Sequence, residues 1–81
     1  MSIQTEQKAP SFEVTEVAEA RLGASSHQAL RNVFCKYDNG ILVLRGRLNS
    51  FFHAQLAQET VAKIDGVERV VNRIEVLSRA I

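Results

Sequence analysis

The residues of this chain whose side chains could do covalent chemistry are one cysteine, Cys35, and two histidines, His27 and His53. A thiol beside an imidazole base would be a nucleophile for acyl transfer. However, Cys35 alternates with Val33 and Tyr37 on the inward side of a predicted strand, where a thiolate is disfavoured. His27 lies in a polar connector and is expected to be solvated, and His53 is read as structural. We therefore predict no catalytic residue and no enzymatic activity.

Metal, cofactor and nucleic-acid sites have no support in the sequence. A single cysteine excludes an internal disulfide and a cysteine-cluster zinc site, and the chain has no CxxC pair. There is no P-loop and no GxGxxG turn for a nucleotide. The G-x-x-G loop of a KH-type RNA binder and the aromatic strand of an RNA recognition motif are also missing. We predict no metal, no cofactor and no nucleic acid as partner.

The side chains best suited to binding are arginines that a strand pattern places on one open sheet face. They are Arg45, Arg47, Arg69 and Arg73. Guanidinium groups bind phosphates and carboxylates through charge-assisted hydrogen bonds. An ordinary solvated face, with arginines paired to Glu68 and Glu75, is the alternative. Near an anionic membrane each basic residue contributes roughly 1 kcal/mol, so four would bind weakly without an apolar contribution.

Two adjacent phenylalanines, Phe51 and Phe52, could supply that apolar contribution. Ser50 is a plausible N-cap, which places both rings in the first turn of a helix. They fall on opposite flanks of the buried stripe, so both cannot face the core. We expect one ring to seal the sheet edge or the first helix, and Phe52 to be the exposed one.

The elements that position these residues can be read from periodicity. Val33, Cys35 and Tyr37 alternate on one strand, and alternate residues from Leu42 to Leu48 face inward on a second. The dipeptide Asn39-Gly40 between them predicts a type I′ hairpin turn. Gly46 within the second strand indicates an element packed closely over it, most simply a helix.

Two amphipathic helices flank this hairpin. The first begins after the N-cap Ser11 and ends at Gly23; its inward residues are Val14, Val17, Ala18 and Leu22. The second runs from Ser50 to Ile64 or Asp65, with Ala54, Ala57, Thr60, Val61 and Ile64 on its buried stripe. A third strand follows Gly66, with Val70, Ile74 and Val76 inside. We predict an α+β two-layer α-β-β-α-β fold, in which two helices cover one face of a three-stranded sheet. The strand order stays open.

The stretch from Leu30 to Val76 resembles the BON domain family. Its matching parts are the hairpin YDNGILVLRGRLNS, the helix AQLAQETVAKIDGV and the closing strand GVERVVNRIEV. The resemblance implies the same α-β-β-α-β fold. It also implies a non-enzymatic binding module, commonly linked to phospholipid or membrane-surface attachment, with no shared catalytic motif.

Length and composition place these elements in one small domain of 81 residues with a net charge of +1. We predict a disordered tail over residues 1–10, a BON-like domain over 11–77 and a second tail over 78–81. No apolar run is long enough to cross a bilayer. The first residues have no basic start and no apolar core of a secretory signal, which predicts a cytoplasmic location. The lipid-binding function described below would place the domain at the periphery of the membrane.

Two functions are compatible with these observations. The first is peripheral association with an anionic phospholipid surface through the arginines and the two phenylalanines. The second is a soluble protein-interaction or homo-oligomerisation domain that uses Phe34, Ile41 and Val43 on the open sheet face.

Overall fold

A computed structural model describes the backbone of residues 11–77 and the side chains of residues 13–77; the predicted tails over 1–10 and 78–81 lie outside the described residues. The elements follow in the order α1 (Ser11–Ala24), a 3-10 helix (Gln28–Asn32), β1 (Phe34–Asp38), β2 (Ile41–Leu48), α2 (Phe51–Val61) and β3 (Arg69–Val76). The predicted α+β order of two helices and three strands is confirmed. The 3-10 helix lies in a segment for which we predicted only an irregular connection and the start of the first strand.

The sheet has the order β1-β2-β3 and mixed pairing. β1 and β2 are antiparallel, whereas β2 and β3 are parallel. This follows from the connections, because a two-residue turn can join only antiparallel neighbours and a helix such as α2 returns the chain for parallel pairing. The turn is the predicted one, since Asn39 and Gly40 both have positive φ, 51° and 89°.

The core lies between the helices and one face of the sheet. Its fully buried side chains include Leu22 from α1, Leu30 from the 3-10 helix, Leu42 and Leu44 from β2, and Val61 from α2. Every second residue of β2 faces this layer, as the alternation predicted. One predicted core residue is wrong: Val17 is 39% exposed, whereas Val14, Ala18 and Leu22 of the same helix are buried.

Both helices end differently from the prediction. α1 continues through Gly23 to Ala24, and Gly23 does not have the positive φ of a helix-terminating glycine. α2 ends at Val61 rather than at Ile64, because the chain tightens into hydrogen bonds between residues three apart, such as Ile64 N–H to the Val61 carbonyl at 3.3 Å. Ile64 is nevertheless buried, as predicted.

The 3-10 helix explains the glycine in β2. Gly46 has a φ of +149°, and a methyl group at its Cα would stand 2.6 Å from the carbonyl oxygen of Asn32, the last residue of the 3-10 helix. The predicted close approach over Gly46 is therefore present. It is made by the backbone of the connecting segment rather than by one of the two long helices.

Candidate functional site

Exposed apolar side chains collect at one end of the sheet, where β1 begins and where β2 and β3 end. Phe34 is 65% exposed, Phe51 79%, Phe52 60% and Leu77 48%. The strand register places Phe34 beside Arg45, near the end of β2, and the Leu77 amide donates to the Leu48 carbonyl at 2.7 Å. We call these four residues the aromatic end. The sequence pointed to Phe51 and Phe52 as lipid-binding candidates and to Phe34 as a partner-binding candidate. Leu77 was missed, although its place beside Leu48 follows once β3 is known to be parallel to β2.

The first turn of α2 holds the two adjacent rings in place. The Ser50 hydroxyl accepts a hydrogen bond from the His53 amide at 3.2 Å, which is the predicted N-cap. The expected exposure of Phe52 is confirmed. The expectation that the other ring would be sealed is wrong, because Phe51 projects from the first turn and is more exposed than Phe52.

The Phe52 ring packs against the rings of His27 and His53, and the three rings form a cluster. The ring centroids of His27 and Phe52 are 5.6 Å apart, those of His27 and His53 are 5.4 Å apart, and those of Phe52 and His53 are 5.5 Å apart. These distances are typical of edge-to-face aromatic contacts. His27, which we expected to be solvated, is half-buried against α2. The cluster orients Phe52 and leaves Phe51 without such support.

The four candidate arginines do not form one site. Arg45 and Arg73 are neighbours across β2 and β3 on the open face, and Arg47 is opposite Glu75. The Arg47 Nε atom lies 3.2 Å from the Glu75 Oε1 atom, which neutralises Arg47 in part. With Gly46, these four side chains line a shallow concavity of about 220 Å³. Its unbalanced charge comes from Arg45 and Arg73.

Arg69 belongs to the other end of the sheet. It is opposite Ile41 beside the hairpin turn, and four residues of strand separate it from Arg73, a distance of roughly 13 Å. Glu68, the other carboxylate that we considered as an arginine partner, lies over Gly40. Arg69 therefore does not share a ligand-sized site with Arg45 and Arg73.

The open face carries a second kind of residue between its charges. Val43 and Val71 are half-buried neighbours in the middle of the sheet, and Ile41 is 38% exposed at the hairpin end. Lys36 on β1 is beside Val43. Basic side chains thus surround a small apolar centre on this face.

Cys35 is not placed for nucleophilic chemistry. Burial, and secondarily the negative charge of Glu19, raise the pKa of its thiol from 9.0 to about 12. The thiol therefore stays protonated near neutral pH, which disfavours the thiolate that a nucleophile requires. The Glu19 carboxylate also accepts a hydrogen bond from the Cys35 amide at 3.3 Å, so this pair connects α1 to β1.

The described part of the chain has neither a metal-ligand cluster nor a membrane-spanning helix. Within it, no three side chains of His, Cys, Asp or Glu are grouped as a metal site would require. Likewise, none of the helices in residues 11–77 has both the length and the apolar character needed to cross a bilayer.

Comparison with known proteins agrees with the fold. No curated protein matches the chain. The BON domain model matches residues 12–78, which is most of the chain and includes every described helix and strand except Ser11, the first residue of α1. The chain therefore belongs to the BON domain family, a binding-type family rather than an enzymatic one.

Proposed function

We propose that this domain binds anionic phospholipid at a membrane surface as a peripheral module. The observation that carries the proposal is the meeting of two features at one end of the sheet. The aromatic end exposes four large apolar side chains, and Arg45 and Arg73 lie on the adjoining open face. Aromatic rings enter the headgroup region of a bilayer, and arginines bind lipid phosphates. The phospholipid association of the BON family supports the same assignment.

The expected strength is that of a reversible attachment. Burying a phenylalanine contributes about 1.5–3 kcal/mol, and a basic residue near an anionic leaflet contributes about 1 kcal/mol. Phe51 and Phe52 together with Arg45 and Arg73 then supply roughly 5–8 kcal/mol. This is comparable with a single myristoyl chain, which gives marginal and reversible binding. A location at the cytoplasmic side of the membrane is part of this proposal.

Co-sedimentation of the chain with vesicles tests the proposal. We expect binding to vesicles that contain phosphatidylglycerol, and weaker binding to pure phosphatidylcholine. Raising the salt concentration should reduce the binding without abolishing it, because salt screens the arginines and leaves the apolar contacts unaffected. Equal absence of binding to both vesicle types at low salt would refute the proposal.

A protein partner on the open sheet face is the second candidate. It is favoured by the apolar centre of that face, formed by Val43 and Val71 with Ile41 beside them. An apolar centre within a charged rim is the usual anatomy of a protein interface. Under this alternative the domain would capture a protein through the face while binding neither vesicle type.

A further inference from the structure

The two edges of the sheet are protected differently. Helix α1 packs on β1, and the Glu19 carboxylate accepts a hydrogen bond from the outward-facing Cys35 amide. The inner side chains of β3 are less covered than those of the central strand. Val70 and Ile74 are only half-buried, whereas Leu42 and Leu44 are completely buried. Within residues 11–77 no strand pairs with the outer edge of β3, so in this part of the chain that edge is open to another strand.

The hydrogen-bonding groups of β3 face outward at every second residue. The Arg69 amide donates to the Gly40 carbonyl at 3.1 Å, and the Leu77 amide donates to the Leu48 carbonyl. Because a parallel ladder uses alternate residues, the odd-numbered amides of β3 point to β2 and the even-numbered ones point away. The Ile74 amide confirms this direction, since it donates to the Asn72 side-chain oxygen at 3.1 Å instead of to β2.

A groove runs along the same edge on the helix side. It has a volume of about 390 Å³ and lies between α2 and β3. Phe51 closes one end, and Ile74 and Val76 form its apolar wall on β3. Helix α2 therefore does not cover the edge, and a second strand has room to approach it.

We propose that β3 pairs with β3 of a second copy of this chain, antiparallel, with Asn72 opposite Asn72. This register places Arg69 opposite Glu75 of the second copy, and the symmetry repeats the ion pair. The two inner residues Val70 and Ile74 then face each other across the interface. The result is a continuous six-stranded sheet with both open faces on one side.

Charge complementarity selects this register over its neighbours. A shift by one residue in the pairing would set inner residues against outer ones and is excluded by the side-chain alternation. A shift by two would place Arg73 opposite Arg73 in one direction and Arg69 opposite Arg73 in the other, and like charges directly opposite destabilise a strand pair. A shift by four residues can restore an Arg73–Glu75 pair, but then only residues 72–76 of each strand are paired. In the proposed register residues 69–75 are paired. Pairing exchanges the local Ile74–Asn72 hydrogen bond for one between the two backbones.

Sedimentation equilibrium of the chain without lipid, up to near-millimolar concentration, tests this dimer. The wild-type chain should dimerise. Arg69→Glu alone and Glu75→Arg alone should each weaken dimerisation on the order of tenfold, because each makes both cross-strand pairs repulsive. An equimolar mixture of the two variants should recover dimers, since the heterodimer has two attractive pairs again.

Lys36→Glu provides the matched control, because it reverses an exposed positive charge on β1, away from the proposed interface. It should leave the dimerisation constant unchanged. A wild-type chain that stays monomeric throughout would overturn the proposal. So would single variants that dimerise like wild type, a mixture that does not recover, or a Lys36→Glu effect as large as the others. Circular dichroism of each variant establishes that it is folded before it is compared.

Discussion

Replacing Gly46 with alanine is expected to lower the melting temperature of this domain by about 10–25 °C. The added methyl group would stand 2.6 Å from the Asn32 carbonyl oxygen, and the φ of +149° is one that residues with a side chain rarely adopt. Overpacking and backbone strain of this kind cost roughly 2–4 kcal/mol together. In a domain of this size, 1 kcal/mol corresponds to about 4–8 °C. Thermal denaturation followed by circular dichroism measures the effect.

Gly23→Ala is the matched control, because it is the same chemical change in a different environment. Gly23 lies within α1, and an added methyl group would meet nothing within 4 Å. Alanine in a helix interior is favoured over glycine by about 0.5–1 kcal/mol, so this variant should melt a few degrees above wild type. If both variants melted alike, the contact between the 3-10 helix and β2 would not constrain residue 46.

Replacing Phe51 and Phe52 together with serine is expected to weaken vesicle binding about 100-fold. Each ring contributes at least about 1.5 kcal/mol when it leaves water, and every 1.4 kcal/mol is a tenfold change in affinity. Stability should change little, because the rings are 79% and 60% exposed and only Phe52 contacts the histidine pair. Co-sedimentation with phosphatidylglycerol vesicles and a thermal melt measure the two properties.

Val17→Ser controls for the loss of an exposed apolar side chain. Val17 is 39% exposed on α1 and lies near Ile64 and Asp65, beyond the far end of α2. Its replacement should leave vesicle binding unchanged. A large fall in melting temperature for the phenylalanine variant would show that the rings belong to the core, and unchanged binding would remove them from the lipid site.

The features that could be predicted from sequence are those set by local chemistry. The hairpin follows from Asn39-Gly40, since few other dipeptides accept positive φ at both positions. The α2 start follows from the Ser50 cap, and the inward residues of β2 follow from strict alternation. In each case the residues that determine the structure are within a few positions of it.

The features that could not be predicted depend on distant contacts. The 3-10 helix has only five residues, too few to show a period, and Leu30 anchors it in the core. Val17 fits the helical stripe, but its exposure depends on how α1 lies against the turn after α2. Phe51 was expected to find cover, yet the neighbouring groove beside β3 is open.

The arginine site shows why register matters for function. Alternation correctly places Arg45, Arg47, Arg69 and Arg73 on one face, but it does not say which of them are neighbours. Parallel pairing of β2 with β3 places Arg45 beside Arg73 and lets Arg47 form an ion pair with Glu75. The same pairing places Arg69 at the hairpin end of the sheet. The same register leaves Arg69 and Glu75 at opposite ends of one open edge, from which the proposed self-pairing follows.

A single tryptophan at position 52 gives the most direct test of lipid binding by the aromatic end. The chain has no tryptophan, so the emission of a Phe52→Trp variant reports on that site alone. With vesicles containing phosphatidylglycerol, the emission should shift to the blue and be quenched by brominated lipid. Val17→Trp, on α1 beyond the far end of α2, should show neither change. No shift at position 52 under conditions where the protein sediments with these vesicles, or equal shifts at both positions, would contradict the proposed site.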